Sequence, residues 1–438
     1  MLLVYSGSEG PRWKYIAQAL LGDIAGVPFL LTHDREAYLS YDGPCLNYST
    51  QRIRPEEILL VPSGLLEETG VTKRSISTFL HNGHPCFFPV REGDLPFDLF
   101  SAAFWLLSRY EEYLPHGVDR FGRYDHTQSL AFREGFLNIP VVSIWAEELR
   151  MLLTKVFPML QLKRRQFRFM PTYDIDIAFS YLHKGTFRNT GGWIRSILKG
   201  KFMEAKERVD VLQGKRRDPF DVYEWLDAQH LAYGLKPQYF FLLAEDQQGL
   251  DKNIHPSNKA LRSLISHHSM GYPVGIHPSW QSGDREELLG QEIETLERIS
   301  GKQISSSRQH YLRFTLPGTY RRLIAAGISG EFSMGYGTVN GFRASVSDPF
   351  LWYDLSKEES TNLRIHPFCY MDSNSVFEQK DTPAHAFDEL SRMHELIKKL
   401  KGTMVTVFHN NILGDDPRMK GWREVYEVFM RDVVYWDI

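Results

Sequence analysis

From residue 167 onward, short apolar segments alternate with longer segments that carry apolar residues at helical spacing. Phe167–Tyr173, Gln238–Leu243 and Pro273–Ile276 are typical of buried strands. Arg285–Ile299 is typical of an amphipathic helix, because its apolar residues recur every three or four positions. Repeated strand-then-helix units predict an α/β fold, with a parallel sheet or barrel and helices outside it.

The same pattern predicts further strands after residue 167. Before residue 160, short apolar runs among Gly- and Pro-bearing loops predict a mixture of strands and helices. Strands are predicted at Ile328–Phe332, Gly341–Val346, Leu363–Phe368 and Met404–Phe408 and, before residue 160, at Leu2–Tyr5, Ile58–Val61 and Phe87–Val90. Helices are predicted from Asp98 to Leu114 and from Pro140 to Val156. The basic stretch Lys163–Arg165 then indicates a boundary. We therefore expect a smaller mixed α/β domain over residues 1–160 and the strand-and-helix domain over residues 161–438.

Charge and cysteine content narrow the class of protein. The chain has 51 Lys and Arg against 54 Asp and Glu, so no global positive field favours a nucleic-acid partner. Its cysteines, Cys45, Cys86 and Cys369, lie too far apart in sequence to indicate a disulfide framework or a thiolate zinc site. The first apolar run is too short for a secretory leader, and no run is long enough for a transmembrane segment. These features predict a cytoplasmic, soluble protein.

One segment is locally basic. Arg195–Arg217 is rich in Lys and Arg, but acidic residues are interleaved at Glu204, Glu207 and Asp210. This mixture favours a solvated helical insertion. A patch for an anionic ligand or a membrane surface is the alternative.

Polar residues that suit hydrolytic chemistry stand at the ends of the predicted strands. Asp174 and Asp176 end one strand, and such a pair can supply one metal ligand and one general base. His277 ends another strand and is suited to metal ligation as a neutral imidazole. Arg308 could pair with Asp174, and His409 is placed to donate a proton. In a β/α fold the carboxyl ends of the strands form the active site, so these residues predict a catalytic centre.

The order and spacing of these residues resemble the polysaccharide deacetylases, the family-4 carbohydrate esterases. Thr172–Asp176 resembles their first motif, in which Asp174 would be the catalytic base and Asp176 a metal ligand. His277 matches the first histidine of their second motif, and Gln281 stands where a second histidine is usual. The resemblance covers residues 167–438.

Two further motifs extend the resemblance. Arg308–Tyr311 is similar to an Arg-x-Pro-Tyr motif, which implies that Arg308 is the partner of the base and that the Tyr311 N–H is an oxyanion donor. His310 replaces the proline and could be the third metal ligand, although packing or a substrate contact is the alternative, with Gln281 or water at the metal. His409 would be the general acid.

The resemblance implies a distorted β/α barrel and a divalent metal, with zinc expected. It also implies removal of N-acetyl groups from an amino sugar of a polysaccharide or glycan precursor. Four segments resemble a less studied bacterial branch that carries an additional N-terminal domain; they are Leu107–Tyr113, Phe121–Arg123, Phe332–Tyr336 and Gly341–Ala344.

Two other functions fit parts of the sequence. The missing second histidine would suit a degenerate relative that only binds carbohydrate, and metal content would separate it from an enzyme. Asp174 and Asp176 could instead be the metal motif of a nucleotide-sugar glycosyltransferase, but residues 1–160 contain no Gly-rich nucleotide-binding fingerprint. The sequence names neither the sugar nor the oligomeric state.

Overall fold

The computed structural model describes residues 1–434 of the chain, which form a mixed α/β fold. The strands are β1 Leu2–Ser6, β2 Phe29–Thr32, β3 Cys45–Tyr48, β4 Ile58–Leu60, β5 Phe79–His81, β6 His84–Cys86, β7 Arg168–Ile175, β8 Gln238–Leu242, β9 Val274–His277, β10 Ser306–Ser307, β11 Gly330–Glu331, β12 Phe350–Asp354, β13 Glu359–Ile365, β14 Tyr370–Met371 and β15 Thr403–His409.

Helices follow most of these strands. The α-helices are α1 Pro11–Ala17, α2 Arg35–Ser40, α3 Leu99–Leu107, α4 Leu130–Arg133, α5 Val141–Val156, α6 Gly185–Leu198, α7 Phe202–Leu212, α8 Tyr223–Ala232, α9 Lys259–Gly271, α10 Glu286–Ser300, α11 Gly318–Ala325, α12 Pro383–Lys399 and α13 Trp422–Phe429. Among the helices of the described residues, none has the length and apolar character needed to cross a bilayer.

Within residues 1–434, nine strands form the large sheet, in the order β12-β13-β11-β10-β9-β8-β7-β15-β14. Neighbouring strands are parallel throughout, except for the antiparallel pair β12 and β13. A separate four-stranded sheet with the order β2-β1-β3-β4 lies in the first part of the chain. No ladder joins β12 to β14 in the part of the chain that the structure describes, so closure into a barrel stays a prediction.

The centre of the large sheet is buried on both faces. Every residue of β8 is buried, as is all of β15 except Thr403, which explains why both strands read as continuous apolar runs. One hydrophobic cluster contains residues from both sides of position 160. For example, the Tyr353 ring lies 4.8 Å from that of Tyr15 and 5.3 Å from that of Phe104. The division of the chain at residue 160 stays a prediction.

Three local predictions were wrong, and backbone conformation explains each of them. The helix capped by Asp98 ends at Leu107 instead of Leu114, because Arg109 adopts a left-handed φ of 54°. The predicted strand Gly341–Val346 is irregular, since φ is 140° at Gly341 and 52° at Ser345. Phe87–Val90 is likewise not a strand, because Phe88 has a φ of 60°.

A buried ion-pair cluster joins the early part of the chain to the segment before β12. Glu112 accepts hydrogen bonds from Arg109 Nε at 2.8 Å and from Arg343 Nε and Nη2 at 2.9 and 2.6 Å. All three side chains are almost fully buried. Burial alone raises the pKa of Glu112, but Arg343 and Arg109 outweigh that effect and lower it to about 2. Glu112 is therefore a carboxylate on which two buried guanidinium groups depend.

We expect Glu112→Gln to lower the free energy of unfolding by about 3–5 kcal/mol at neutral pH, because it leaves two buried cations without their anion. The carboxylate stabilises the fold fully above its ordinary pKa of 4.5 and loses this effect as the pH falls toward about 2. The difference between wild type and variant should therefore shrink across that acidic range. Urea unfolding at several pH values measures it. Glu287→Gln, which removes an exposed partner of Arg285, is the control and should leave the free energy of unfolding nearly unchanged.

Candidate active site

The carboxyl ends of the central strands bring the expected polar residues into one cavity. The register places His409 of β15 beside Asp174 of β7, and His277 of β9 beside Leu242 of β8. The cavity has a volume of about 420 Å³. Its walls include Asp174, Asp176, His277, His310, Tyr311 and His409.

Asp174 is held by Arg308, as the sequence led us to expect. Arg308 Nη1 donates to Asp174 Oδ1 at 2.8 Å and to the Thr172 hydroxyl at 2.7 Å. The guanidinium has no exposed surface and lies 4.6 Å from the ring centroid of Phe240. Arg308 therefore places a buried positive charge in direct contact with this carboxylate. Asp174 Oδ2, the other oxygen, faces His277 Nε2 at 3.9 Å.

Asp176, His277 and His310 form a cluster that could hold a metal ion, with ligand atoms within 4.8 Å of one another. His277 Nε2 lies 3.1 Å from Asp176 Oδ1, and His310 Nε2 lies 3.8 Å from Asp176 Oδ2. These are the three residues that the sequence predicts as ligands. The third of them comes from the Arg308–Tyr311 segment and not from the expected second position of the histidine motif.

The hydrogen bonds behind the histidines fit a cation at this point. The Nδ1 of His277 lies 2.6 Å from the Arg308 carbonyl, and the Nδ1 of His310 lies 2.8 Å from Asp251 Oδ1. Because each acceptor fixes a proton on Nδ1, a neutral imidazole turns the lone pair of Nε2 toward Asp176. Asp176 Oδ1 is buried and has no hydrogen-bond partner. Lone pairs that converge on an orphaned carboxylate oxygen are the arrangement that a divalent ion satisfies.

The charge of Asp176 agrees with this geometry. Burial by itself raises the pKa of Asp176, but positive charge at His310 and His277 outweighs it and holds the pKa well below its ordinary range, a role that a bound cation would fill when the imidazoles are neutral. Asp176 is therefore an anionic ligand at any physiological pH. The donor set of one carboxylate and two imidazoles suits Zn²⁺ and leaves further coordination positions open.

His409 forms a tight pair with a carboxylate that the sequence analysis did not single out. Its Nδ1 lies 2.5 Å from Asp372 Oδ1, and its backbone N–H donates to Asp372 Oδ2 at 2.7 Å. Burial alone lowers the pKa of His409, but Asp372, followed by Asp176 and Asp174, raises it to about 10. A cation bound beside Asp176 would oppose part of this rise. The arrangement leaves the Nε2 of His409 directed toward Asp176, at 3.9 Å.

Gln281, which stands where the sequence resemblance implies a second histidine, contacts the residues behind the cluster. Its Nε2 donates to Asp251 Oδ2 at 3.1 Å and to the Asp246 carbonyl at 2.9 Å. Asp251 Oδ1, the other oxygen, accepts from the Trp280 N–H at 2.8 Å and also lies 2.8 Å from His310 Nδ1. Burial raises the pKa of Asp251, but the hydrogen bonds from His310 and Trp280 outweigh it and lower the pKa. Gln281 thus contacts the carboxylate that orients His310 and lies outside the three-residue cluster.

A loop from the first part of the chain forms one wall of the cavity. Arg123 Nη1 donates to the Tyr311 carbonyl at 2.9 Å, and the Phe121 ring lies 5.1 Å from that of Tyr311. Arg120 reaches across to Glu378 at 2.7 Å. Tyr311 itself has a left-handed backbone, with a φ of 56°. The segments Phe121–Arg123 and Arg308–Tyr311, which the sequence analysis singled out separately, are therefore in contact.

Two carboxylates of the site were not predicted from the sequence, for different reasons. Asp372 directly follows the short strand β14, and the apolar run from Phe368 to Met371 that ends in this aspartate was an available signal. Asp251 lies in the irregular connection between β8 and α9, where no periodic pattern marks it. Only the folded chain brings Asp251 behind His310.

Comparison with protein families places the first part of the chain in context. Residues 2–158 match a family of unknown function, DUF7033. No curated protein matches the chain.

Several solved structures match part of the chain at low similarity. One, described as a polysaccharide deacetylase from Mycobacterium smegmatis, is 14% identical, with a TM-score of 0.39, and the match covers 62% of this chain and 86% of that one. Another, from Pseudomonas aeruginosa PAO1, is 11% identical over 61% and 86% of the two chains, with a TM-score of 0.37. A third, from Bacillus cereus, is 10% identical over 60% and 85%, with a TM-score of 0.27. Similarities this low leave the function to be argued from the site.

We expect His310→Ala to weaken zinc binding at least about tenfold, because it removes one of three converging donors. Isothermal titration of the metal-free protein with Zn²⁺ measures the change. His255→Ala is the matched control, since His255 is exposed and bonds only locally to Ser257. Equal affinities of wild type and His310→Ala would show that His310 is not a ligand.

Asp251→Asn tests the support behind His310. The amide keeps the size of the side chain but weakens the hydrogen bond that orients the imidazole, so zinc affinity should fall about tenfold. The same titration measures it, with circular dichroism to show that the fold is retained. Unchanged zinc affinity in a folded Asp251→Asn variant would mean that His310 needs no carboxylate to present its Nε2.

Proposed function

We propose that the protein is a metal-dependent hydrolase that removes N-acetyl groups from an amino sugar of a polysaccharide or glycan precursor. The observation that carries the proposal is the convergence of three functions in one cavity. One cavity contains a three-residue cluster that could hold a cation, a carboxylate that is held by a buried guanidinium, and a histidine that is paired with a carboxylate. Amide hydrolysis needs these three together: a polarised carbonyl, a base for water and an acid for the leaving amine.

Asp176, His277 and His310 would hold the ion. A divalent cation bound there supplies Lewis-acid polarisation of the acetamido carbonyl and lowers the pKa of a nearby water. The three side chains also fix the position of that carbonyl relative to the other groups of the cavity. Their contribution to the reaction is therefore orientation as well as affinity.

Asp174 is the proposed base. Arg308 occupies its Oδ1, so Oδ2 is the oxygen left to accept the proton of the attacking water. The guanidinium bonds to Thr172 and to the Phe332 carbonyl as well, which prevents it from following the carboxylate if Asp174 moves. Asp174 is thus positioned before substrate binds, which reduces the reorganisation that the reaction requires.

His409 is the proposed acid on the other side of the cavity. Asp372 fixes the proton on Nδ1 and stabilises the imidazolium form, so that Nε2 can deliver a proton to the departing amine nitrogen. The Tyr311 N–H is the proposed donor to the oxygen that becomes negatively charged. Arg123 holds this stretch of backbone through the Tyr311 carbonyl, so the wall from the first part of the chain also positions the reaction centre.

The volume and lining of the cavity suit a single sugar unit that carries an acetamido group. Its volume of about 420 Å³ lies in the lower half of the usual range for small-ligand sites. Phe121 and Tyr311 give it an apolar side on which the face of a sugar ring can rest. These features support an amino-sugar substrate over an extended peptide.

Asp174→Asn should lower the rate of acetate release from N-acetylated amino-sugar oligosaccharides by about 10²–10⁴-fold, because the amide cannot accept the proton. Zinc affinity, measured in parallel, should change little, since Asp174 is not in the ligand cluster. Asp415→Asn is the control, because Asp415 is an exposed aspartate that pairs with Arg423 near the same edge. Zinc-loaded wild type without acetate release from any N-acetylated oligosaccharide would contradict the proposed function.

A further inference from the structure

The insertion between β7 and α8 is a helical hairpin of α6 and α7, and α6 exposes large apolar side chains while it buries polar ones. The outer surface of α6 carries Phe187, Ile194 and Leu198, which fall within an arc of about 40° at 3.6 residues per turn. Phe187 is 93% exposed and Leu198 is 82% exposed. The residues that α6 buries are polar: Asn189 and Ser196, on the opposite side. A helix of a water-soluble protein normally turns its apolar face inward.

Polar contacts hold this hairpin together, and they account for its reversed pattern. Ser196 Oγ donates to Glu204 Oε1 of α7 at 2.9 Å, and Arg208 Nη1 donates to Asn189 Oδ1 at 3.2 Å. Asn189 Nδ2 also donates to the Tyr181 carbonyl at 2.9 Å. The apolar residues are therefore not needed to pack α6 against α7, and they are left on the outside.

The tip of the hairpin, Leu198–Met203, continues the apolar surface and adds positive charge. Phe202 and Met203 are exposed, Met203 to 80%. Lys199 and Lys201 lie between Leu198 and Phe202 in the sequence and are exposed too. The tip is therefore a cluster of three large apolar side chains with two ammonium groups among them.

The charge of the whole insertion stands apart from that of the protein. Residues 184–217 contain ten Lys and Arg against three Asp and Glu, in a chain whose formal net charge is -3. Exposed apolar residues flanked by Lys and Arg are the pattern of segments that lie in the headgroup region of a bilayer. Anionic lipids attract such a segment electrostatically, and its apolar side chains then enter the acyl boundary.

The position of the hairpin agrees with a role beside the cavity. Its base follows β7, the strand that carries Asp174. Arg188 of α6 donates to Gln247 in the loop after β8, and Arg216 donates to the Asp415 carbonyl in the loop after β15. Both loops leave the carboxyl ends of strands, so the hairpin stands on the same edge of the sheet as the candidate active site.

We propose that the α6–α7 hairpin docks the protein on the surface of an anionic lipid bilayer, with the tip Leu198–Met203 inserted among the headgroups. Docking of this kind turns the cavity edge of the sheet toward the bilayer and needs no transmembrane helix. The proposal does not depend on the deacetylase activity, because the surface is defined by exposure and charge alone. A second copy of this chain on the same apolar surface is the competing occupant, and the experiment separates the two.

Sedimentation of the full-length protein with vesicles tests the proposal. Wild type should pellet with vesicles of mixed phosphatidylglycerol and phosphatidylcholine, and much less with phosphatidylcholine alone. Binding should weaken as salt screens the charges. The triple variant Leu198→Ser/Phe202→Ser/Met203→Ser should bind at least about tenfold more weakly, because it removes the inserting side chains. Lys199→Glu/Lys201→Glu should reduce the preference for the anionic lipid, because it lowers the positive charge of the tip.

Leu231→Ser/Met270→Ser is the matched control. Leu231 and Met270 are as exposed as the tip residues, at 86% and 79%, but they lie at the carboxyl ends of α8 and α9, at the far side of the sheet. This control should bind vesicles like wild type, and circular dichroism should show that all variants are folded. Failure of wild type to bind anionic vesicles, or equal loss in the control, overturns the proposal. A dimer in sedimentation velocity that the tip variant dissociates, without lipid binding by wild type, assigns the surface to a second copy instead.

Discussion

The arrangement of the cavity depends on one buried cation. Arg308 has no exposed surface and is surrounded by the rings of Phe240, Phe332 and Phe368. Burial of this charge without an anion would therefore cost free energy of folding. Asp174 supplies that anion and is fixed by it. The Arg308 carbonyl in turn accepts the Nδ1 proton of His277 and directs the other nitrogen of that ring toward Asp176. A single residue thus orients both the proposed base and one proposed metal ligand, through different atoms.

The apolar pattern of the strands made most of the large sheet and of the candidate site predictable from the sequence. The irregular turns, which depend on positive φ angles, were not predictable. The buried strands β7, β8, β9 and β15 read directly as apolar runs, and parallel strands must bring their carboxyl ends to one edge. The amino-acid pattern alone therefore assigns Asp174, His277 and His409 to one site. It does not predict the early end of α3 or the irregular Gly341–Val346, because a positive φ at Arg109 or Ser345 depends on tertiary contacts and not on side-chain pattern.

The turns at Arg109 and near Ser345 lie where the first part of the chain contacts the domain of the large sheet. Arg109 leaves the helical conformation and pairs with Glu112, and the irregular segment after Gly341 delivers Arg343 to the same carboxylate. An uninterrupted helix and an extended strand would have kept these charges apart. The local rules fail at the positions where the fold needs a buried ion pair, which is the pattern expected when tertiary electrostatics override intrinsic preference.

The cluster around Asp176 takes its three side chains from the ends of three different strands, β7, β9 and β10. A metal ion needs electron pairs that converge on one point, and it does not matter which strand supplies each ligand. Here the loop after β9 carries Gln281, whose amide bonds to Asp251, while the imidazole comes from His310 after β10. β9 and β10 are neighbours in the sheet, so the rings of His277 and His310 lie close together, with their centroids 5.0 Å apart. Both rings point at Asp176. The carboxylate of Asp251 links the two loops, because it accepts a hydrogen bond from Gln281 after β9 and lies beside His310 after β10.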